Sequence, residues 1–555
     1  FSVETMDAEM ARTRADLEEL RTSFDYNKLT PEAQTSYDIW VYQAEQDIAS
    51  DEFRMNSYVF DQMRAIHGFF PQLLIAFHRA NDEQGMEDYI SRISESARGL
   101  DQLVGLSKMV AEEGVRPPYF AFDSVIDESW KIICGEPFET AEECRDDKGE
   151  LPESNALWDD ATAKIQNLLD QDKIDADRAG ELRDAAEAAF RNELIPAYKR
   201  LIAWQEEDRV NAGDVAKGVT LLPNGVAYYN ERLANQTTTD MTGDEIHEVG
   251  LAEVARLRAE MEEIQADFGF DGTLQEFFVF LRDTKDDERL YYPDTDEGRQ
   301  GYIDDATAAI DNLKAVLPDY FGILPKADMV VKRVEAFREQ DGAAQHYFPS
   351  TPDGSRPGVY YAHLSDMTAM PKLELEVIAY HEGLPGHHMQ IAIQQELTGI
   401  PTFRTQAGFT AYSEGWGLYS EWLAIEMPDT YQDPLSRFGR AGSEMWRAIR
   451  LVVDTGLHAK GWTEEEAVQY FMANSAITEA QARSEVRRYL VLPGQATSYK
   501  IGMIKIQELR KNAEAELGDD FDIRGFHDTV LGGGAMPLAI LERRVDQWIE
   551  RVKAG

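Results

Sequence analysis

The sequence has few cysteines, few basic residues relative to acidic ones, and no long apolar run. Its 555 residues include two cysteines, and 55 Lys and Arg stand against 102 Asp and Glu, for a formal net charge of −47. Such a negative surface repels nucleic acid and anionic membranes, so we expect neither as a partner. No stretch is apolar over the length needed to cross a bilayer, so the sequence predicts no membrane-spanning segment.

The two cysteines, Cys134 and Cys144, enclose a short polar segment, CGEPFETAEEC. They are too isolated to build a metal cage, and we predict one local disulfide, which would imply an oxidising compartment. Two unpaired thiols in a cytosolic protein are the alternative. The chain starts at Phe1 rather than at Met, which fits a removed N-terminal segment. We therefore expect a periplasmic or secreted protein, with a lipid anchor in the removed segment as a further option.

The sequence predicts a mainly helical chain. Apolar residues recur at helical spacing along most of it, and Thr242 with Glu245 has capping-box spacing. Strand signals are few. Residues 218–230 contain a Pro-Asn-Gly turn between β-prone runs, which predicts a hairpin. Residues 346–364 end in the β-prone run 359–361, which we expect to form an edge strand.

Three of the ten histidines fall within the stretch AYHEGLPGHHMQ. In the pattern H-E-x-x-H, two histidines one helical turn apart bind one zinc ion, and the Glu beside the first activates a water molecule. His381 and Glu382 match the first half, but Pro385 occupies the place of the second histidine. His387 and His388 follow instead. So many histidines beside a Glu and around a proline indicate a metal site with altered spacing.

The second histidine ligand is open between His387 and His388. Residues 372–396 read as one helix whose inward stripe contains His381 and His388, which favours His388. On a regular helix, the six steps from His381 to His387 rotate by about 600° and aim the two rings apart. Pro385 and its flanking glycines would permit a bulged turn that brings His387 to the ion. We favour His387, because a Gly-His pair also closes related peptidase motifs.

A third ligand is predicted downstream, in AYSEGWGLYSEW. A zinc site of this kind takes one more protein ligand, often a carboxylate from a second helix, and leaves a position for water. Glu414 lies on an apolar helical stripe, where a carboxylate is costly unless it is paired or metal-bound. We predict Glu414 as the third ligand and Glu421, two turns on, as the residue that orients a histidine. A buried salt bridge is the alternative.

A further helix carries Arg450, Asp454 and His458 at steps of four, the spacing of an ion-pair ladder. A structural role is the default interpretation of this spacing. The alternative is a functional role, with Arg450 facing the substrate and with Asp454 and His458 supporting the metal ligands.

The stretch LPGQATSYKIG places mixed polar residues ahead of a helix. A Tyr hydroxyl can stabilise a developing oxyanion, so Tyr499 is a catalytic candidate. A Lys can hold a substrate carboxylate, which makes Lys500 a substrate-binding candidate together with Gln495. Ordinary polar residues at a helix start are the alternative.

Four ordered motifs, YHEGLPGHHMQ, YSEGWGLYSE, RLVVDTGLHAKGWT and LPGQATSYKIG, resemble the bacterial Domain of Unknown Function family 885. The upstream segment NERLANQTTTDMTGDEIHEVGLAEVARLRAEM fits it too, so the resemblance spans essentially the whole chain. Members are often predicted to be lipoproteins or secreted, and the family resembles helical zinc peptidases of the thermolysin-like, or gluzincin, kind. The resemblance implies His381, Glu382, a late histidine and Glu414 as the working set, and it implies no particular substrate.

The expected fold is mainly α, a large two-lobed helical metallopeptidase-like fold with a small β-sheet beside the active-site cleft. We expect an N-terminal helical lobe at residues 1–210. A middle helical region with a small hairpin would follow at 211–350, and a catalytic helical region with the metal motif at 351–555.

The sequence predicts a zinc-dependent hydrolase, with one zinc ion per chain, that cleaves peptides. In this hypothesis Glu382 takes a proton from the zinc-activated water and returns it to the leaving amine. An amidase acting on a small acylated amino acid is one alternative, and a non-catalytic binding protein with an inherited metal fold is another. Glu382 beside His381 argues against the latter, because binding requires no general base. The oligomeric state is open.

Overall fold

The computed structural model describes residues 1–145, 149–334, 339 and 344–555, and they are mainly helical, as predicted. The helices before the sheet are α1 (Val3–Ser23), α2 (Pro31–Asp51), α3 (Ile66–Gln72), α4 (Glu83–Glu112), α5 (Tyr119–Ile133), α6 (Ala156–Asp170), α7 (Ala176–Ala189), α8 (Ile195–Arg209), α9 (Gly225–Thr237), α10 (Gly243–Phe268), α11 (Leu274–Asp283), α12 (Asp296–Lys314) and α13 (Leu317–Tyr320). The helices after it are α14 (Leu375–Glu382), α15 (His387–Gln395), α16 (Thr402–Gln406), α17 (Thr410–Leu423), α18 (Pro434–Ala459), α19 (Glu464–Asn474), α20 (Glu479–Val491), α21 (Ser498–Leu517), α22 (Ile523–Leu531) and α23 (Leu538–Ala554).

A small three-stranded sheet interrupts the helices. It contains β1 (Met329–Arg333), β2 (His346–Phe348) and β3 (Gly358–Ala362) in the order β1-β3-β2. β1 pairs with β3 in parallel, and β2 pairs with β3 antiparallel. The β-prone run 359–361 therefore forms the central strand, and the prediction of an edge strand is wrong. The reason is burial: Val359 and Tyr360 are both almost fully buried, so both faces of β3 are covered.

The hairpin predicted for residues 218–230 is wrong. The chain makes a 3₁₀ turn at Val219–Leu221 and then enters α9. A Cβ on Gly225 would lie 1.9 Å from the carbonyl oxygen of Val219, so the glycine serves a close backbone approach at the start of a helix. Asn224 takes the positive φ of 54° that lets the chain turn there.

The chain divides into two compact units. Unit 1 contains Phe1–Asp16 and Ile48–Tyr228. Its core is formed by apolar side chains of α4, α6, α7 and α8, among them the fully buried Tyr89, Ile93 and Tyr198. Cys134 and Cys144, after α5, form a disulfide, which confirms the predicted local bridge.

Unit 2 contains Leu17–Asp47 and Tyr229–Gly555, so an early segment of the chain belongs to the same unit as its end. Glu32 ties this segment in place, because its carboxylate forms ion pairs with Arg404 and Arg544. Arg404 is 1% exposed, and a guanidinium at that depth needs such a partner.

Two helices of unit 2 cross at glycines. A Cβ on Gly502 of α21 would lie 1.8 Å from the carbonyl oxygen of Ala411, and one on Gly415 of α17 would lie 2.6 Å from the Gly502 backbone. The absence of side chains therefore sets the close packing of α17 against α21. Within the described ranges, no helix combines the length and apolarity that crossing a membrane requires.

Candidate metal centre

The histidine motif lies on two helices. α14 ends at Glu382 and α15 begins at His387, and the four residues between them leave the helical path. The prediction of one bulged helix over residues 372–396 is therefore wrong. The physical reason is backbone crowding: a Cβ on Gly386 would lie 2.0 Å from the carbonyl oxygen of His381, so only glycine lets the chain fold back this closely.

The break turns His387 toward His381. Their ring centroids lie 4.6 Å apart at an interplanar angle of 87°. Trp416 on α17 holds the turn, because its Nε1 donates a hydrogen bond of 2.9 Å to the carbonyl oxygen of Pro385. Both histidines face Glu414, which lies on α17 with Trp416. Oε2 of Glu414 is 3.6 Å from Nε2 of His381 and 3.5 Å from Nε2 of His387.

These distances suit a tetrahedral zinc site. Zinc–ligand bonds of about 2.1 Å place the ligand atoms of a regular tetrahedron about 3.4 Å apart, close to both nitrogen–oxygen separations. His381, Glu382 and His387 also bring potential ligand atoms within 4.8 Å of one another. Two imidazoles and a carboxylate are a donor set that zinc accepts. The residues present therefore fit a zinc ion.

Glu421 orients His381. Its Oε1 lies 2.7 Å from Nδ1 of His381, and Glu421 itself is 1% exposed. Nδ1–H then donates a hydrogen bond to the Glu421 carboxylate, and Nε2 is left directed at Glu414. Gly417 makes room for the ring, since a Cβ there would lie 2.7 Å from Cε1 of His381. α17 thus supplies a candidate ligand, the orienting carboxylate and the space for the imidazole.

The electrostatics of the cluster favour a bound cation. Burial opposes a charge on His381, but hydrogen bonds to Glu414 and Glu421 raise the pKa of His381 to about 10. Burial also opposes a charge on Glu414 and by itself would raise its pKa. The two histidines nevertheless hold the pKa of that carboxyl well below its usual range. The carboxylate is thus charged at neutral pH, and a proton on His381 balances it. A metal ion would take the place of that proton.

His388 is not brought to this cluster. Its Nδ1 lies 2.9 Å from the hydroxyl of Tyr347, and its Nε2 lies 3.0 Å from the carbonyl oxygen of Ala327. Burial lowers the pKa of His388 to about 4, so the ring is neutral and serves the contact between α15 and the sheet region. His388 is buried, as its place on the predicted inward stripe suggested, but the helix break separates it from His381.

The residues at steps of four on α18 face separate partners. Asp454 accepts hydrogen bonds from the hydroxyl of Tyr229, at 2.6 Å, and from the backbone of Gly494. His458 lies 3.0 Å from the carbonyl oxygen of Tyr489 through its Nε2. Both are fully buried, and burial raises the pKa of Asp454 to about 7 and lowers that of His458 to about 4. These partners give the two residues roles in packing α18.

Lys500 is fully buried rather than directed at a substrate. Its Nζ lies 2.6 Å from the carboxylate of Glu444 and 2.9 Å from that of Glu253. The lysine therefore joins α21 to α18 and α10. This buried ion pair corrects the expectation that Lys500 lies at a substrate-binding surface.

Tyr499, Arg450 and Gln495 lie together with two arginines that the sequence reasoning missed, Arg447 and Arg488. The guanidinium carbon of Arg450 is 4.6 Å from the Tyr499 ring centroid, and that of Arg447 is 5.9 Å from it. Arg488 donates a 2.8 Å hydrogen bond to Gln495 and lies 3.5 Å from the Tyr499 hydroxyl. We call Arg447, Arg450, Arg488 and Tyr499 the arginine recess. The available signal was the three-residue spacing of Arg447 and Arg450 on one helix face.

Two further proton-bearing groups, Tyr360 and Glu374, were also missed. Burial, the hydrogen-bonded Tyr302 and the charges of Glu382 and Glu374 raise the pKa of Tyr360 on β3. Burial raises the pKa of Glu374 to about 7, against the opposing charges of Arg447 and Lys285. Tyr360 thus stays neutral at pH 7, and Glu374 is part protonated there. No sequence pattern pointed to either residue, because the sheet and the segment before α14 meet only in the fold.

Two solved structures are similar to this chain along nearly its full length. A protein from Colwellia psychrerythraea, described as a "putative lipoprotein", is 28% identical with a TM-score of 0.87, and the match covers 99% of this chain and 92% of that one. A "putative lipoprotein of unknown function" from Shewanella oneidensis is 17% identical with a TM-score of 0.71, covering 98% and 92%. The second likeness shows the fold alone.

A comparison with curated proteins finds no significant match. The model of one bacterial family matches residues 1–545, nearly the whole chain, in agreement with the four ordered motifs. The chain therefore belongs to the family described as "Bacterial protein of unknown function (DUF885)".

Proposed function

We propose that the protein is a zinc-dependent hydrolase of peptides or small amides. The observation that supports this best is the convergence of Nε2 of His381, Nε2 of His387 and Oε2 of Glu414, with Glu382 beside them. A zinc ion held by these three side chains would supply a Lewis acid for a substrate carbonyl and would acidify a water molecule.

The protein's own residues would handle the protons. Glu382 accepts the proton of the attacking water and passes it to the nitrogen of the leaving amine, so that the amide bond breaks without a charged leaving group. Glu421 keeps the Nδ1 proton of His381 hydrogen-bonded and thereby fixes the ring. Tyr499 remains the candidate hydroxyl for the developing oxyanion.

The proposal extends to the kind of fold and to the compartment. A His-Glu pair on one helix and a carboxylate on a second are the arrangement of thermolysin-like peptidases, so we include a two-lobed, peptidase-like architecture by analogy. The disulfide and the description of both similar structures as lipoproteins favour an extracytoplasmic protein held by a lipid anchor.

The test is a comparison of Glu382→Gln with the wild type. Zinc content is measured on purified protein, and hydrolysis is followed with a peptide pool and with a set of acylated amino acids, each with and without chelator. We expect Glu382→Gln to keep its zinc and to lose activity by a factor of about 10³, because the ligands remain while the base is gone. The preferred set of substrates separates a peptidase from an amidase.

Glu376→Gln is the matched control. Glu376 lies on the same helix, but its carboxylate accepts a 2.7 Å hydrogen bond from the backbone of Tyr431, so zinc and activity should both persist. Full activity in Glu382→Gln, or cleavage that a chelator leaves unchanged, would contradict the proposed mechanism. Zinc binding without cleavage of any substrate would favour a binding protein instead.

A further inference from the structure

The arginine recess concentrates positive charge in a very acidic protein. The chain has 55 basic against 102 acidic residues, yet three guanidinium groups lie around Tyr499, two near its ring and one near its hydroxyl. Glu485 lies 3.0 Å from Arg450 and 3.6 Å from Arg488. The nearest carboxylate of Arg447 is that of Glu421, at 4.0 Å, and Glu421 is already bound to His381. Like charges this close are unfavourable unless an anion offsets them.

The recess also leaves hydrogen-bond donors unused. Nε of Arg447 and Nε of Arg488 are buried and have no hydrogen-bond partner among the residues that the structure describes. The side chains of Arg447 and Arg488 nevertheless remain 21% and 19% exposed. The two guanidinium groups are therefore incompletely neutralised by the protein, and part of each can be reached by a ligand.

The recess adjoins the candidate metal centre. Glu421 touches both, since its Oε1 is 2.7 Å from His381 and 4.0 Å from Arg447. Glu414 and His387 keep side-chain exposures of 22% and 13%, so the metal centre is also open to a ligand. A substrate whose amide bond lies at the metal centre can place a nearby anionic group against the arginines.

We infer that the arginine recess binds the free carboxylate of the substrate, so that the enzyme acts on peptides or acylated amino acids close to their carboxyl terminus. This inference rests on the proposed hydrolase function. The planar fork of a guanidinium matches the two oxygens of a carboxylate, and paired arginines give both affinity and orientation. Arg447 and Arg488 are the residues to which this role is assigned. Tyr499 lies beside both, with its ring centroid 5.9 Å from the guanidinium carbon of Arg447 and its hydroxyl 3.5 Å from Arg488.

The experiment uses N-acylated di-, tri- and tetrapeptides of one sequence, each as the free acid and as the carboxyl-terminal amide. Hydrolysis by the full-length, zinc-loaded protein is measured for each pair. Binding of the same pairs to Glu382→Gln is measured by calorimetry, which requires no turnover. We expect the free acids to be bound and cleaved at least about tenfold better than the amides, the size of one charge-assisted contact.

Arg488→Met should abolish this preference by weakening the binding and cleavage of the free acids, with little effect on the amides. We expect the same result for Arg447→Met. Arg483→Met is the matched control. It lies on the same helix, but its guanidinium pairs with exposed Glu465 and Glu479, so the preference should survive. Thermal unfolding and zinc content are measured for each variant, and Arg→Lys at both positions provides a milder second test.

The outcomes separate the two proposals. Acid and amide bound and cleaved equally well would overturn the inference and leave the hydrolase standing. Binding of the free acids that Arg488→Met abolishes, without cleavage by the wild type, would support the carboxylate site and overturn the hydrolase. Neither binding nor cleavage of any pair would overturn both. An acid preference that persists in both arginine variants would also overturn the inference.

Discussion

At the scale of single residues, His387 and His388 are neighbours with different partners. His387 faces Glu414, at 3.5 Å, whereas His388 is held by Tyr347 and Ala327. For the proposed zinc site, we predict that His387→Gln lowers the zinc content from the expected one ion per chain to well below one, with little change in the fold. His388→Gln should retain zinc and reduce the free energy of unfolding by about 1–3 kcal/mol, the cost of disturbing a buried hydrogen-bond pair.

Metal analysis and chemical denaturation of the two purified variants check this prediction. Each serves as the control for the other, because the same substitution is made at adjacent positions. Loss of zinc in His388→Gln with retention in His387→Gln would reverse our assignment of the ligands.

Several residues of the candidate centre could be identified before the fold was known. Glu414 and Glu421 stood out because carboxylates on an apolar helical stripe require a partner, and the structure supplies His381 to both. Arg447 and Arg488 did not stand out, since arginine on a helix is ordinarily a solvated or ion-paired residue. These two arginines form a cluster only because both lie near Tyr499, which belongs to a third helix, α21.

At the scale of secondary-structure elements, the position of α17 is set by glycine. A Cβ on Gly417 would lie 2.7 Å from Cε1 and 3.0 Å from Nε2 of His381. We predict that Gly417→Ala displaces the imidazole and weakens zinc binding by about 10- to 100-fold, the effect of disturbing the support of a metal ligand. Zinc titration against a competing chelator measures the change.

Gly442→Ala on α18 is the matched control, because a Cβ there has no heavy atom within 4 Å. It should leave zinc binding unchanged and stabilise the helix by about 0.5–1 kcal/mol, since alanine restricts the unfolded chain more than glycine does. Equal zinc affinity in Gly417→Ala and in the wild type would show that the ring can move without consequence.

The elements that sequence reasoning misjudged share one cause. Residues 372–396 follow a helical period on both sides of the break, and the backbone crowding at Gly383 and Gly386, seen in the structure, explains why the helix stops. Residues 218–230 contain a Pro-Asn-Gly turn that is typical of a hairpin. Gly225 instead allows the close approach to the Val219 backbone at the start of a helix. Glycine and proline mark where the chain departs from regular structure, whereas the tertiary contact decides what it does there.

At the scale of the whole molecule, buried neutral histidines make stability depend on pH. His527 donates from Nδ1 to Tyr320 and accepts at Nε2 from the hydroxyl of Tyr419, and burial lowers the pKa of His527 to about 3. In the unfolded chain His527 takes up a proton near pH 6.5, whereas in the folded chain it stays neutral at that pH. The unfolded state therefore binds more protons below this pH, and the free energy of unfolding falls between about pH 6.5 and pH 3.

We predict that His527→Gln flattens this fall by up to about 1.4 kcal/mol per pH unit, because glutamine can keep both hydrogen bonds and has no proton to gain. Urea unfolding from pH 4 to pH 7 tests this. Asp454, with a pKa raised to about 7, contributes with the opposite sign, but equally in both proteins. Identical slopes for the variant and the wild type would refute the role of His527.

The discontinuity of unit 2 has a consequence for biosynthesis. Residues Leu17–Asp47 are translated hundreds of residues before Arg404 and Arg544, the two arginines that hold Glu32. Unit 1 is complete in sequence by Tyr228, so it can mature while the early segment still waits for its partners. The nascent chain must therefore keep α2 from misfolding or aggregating until both arginines have been made, and a truncation that removes Arg544 should also destabilise α2.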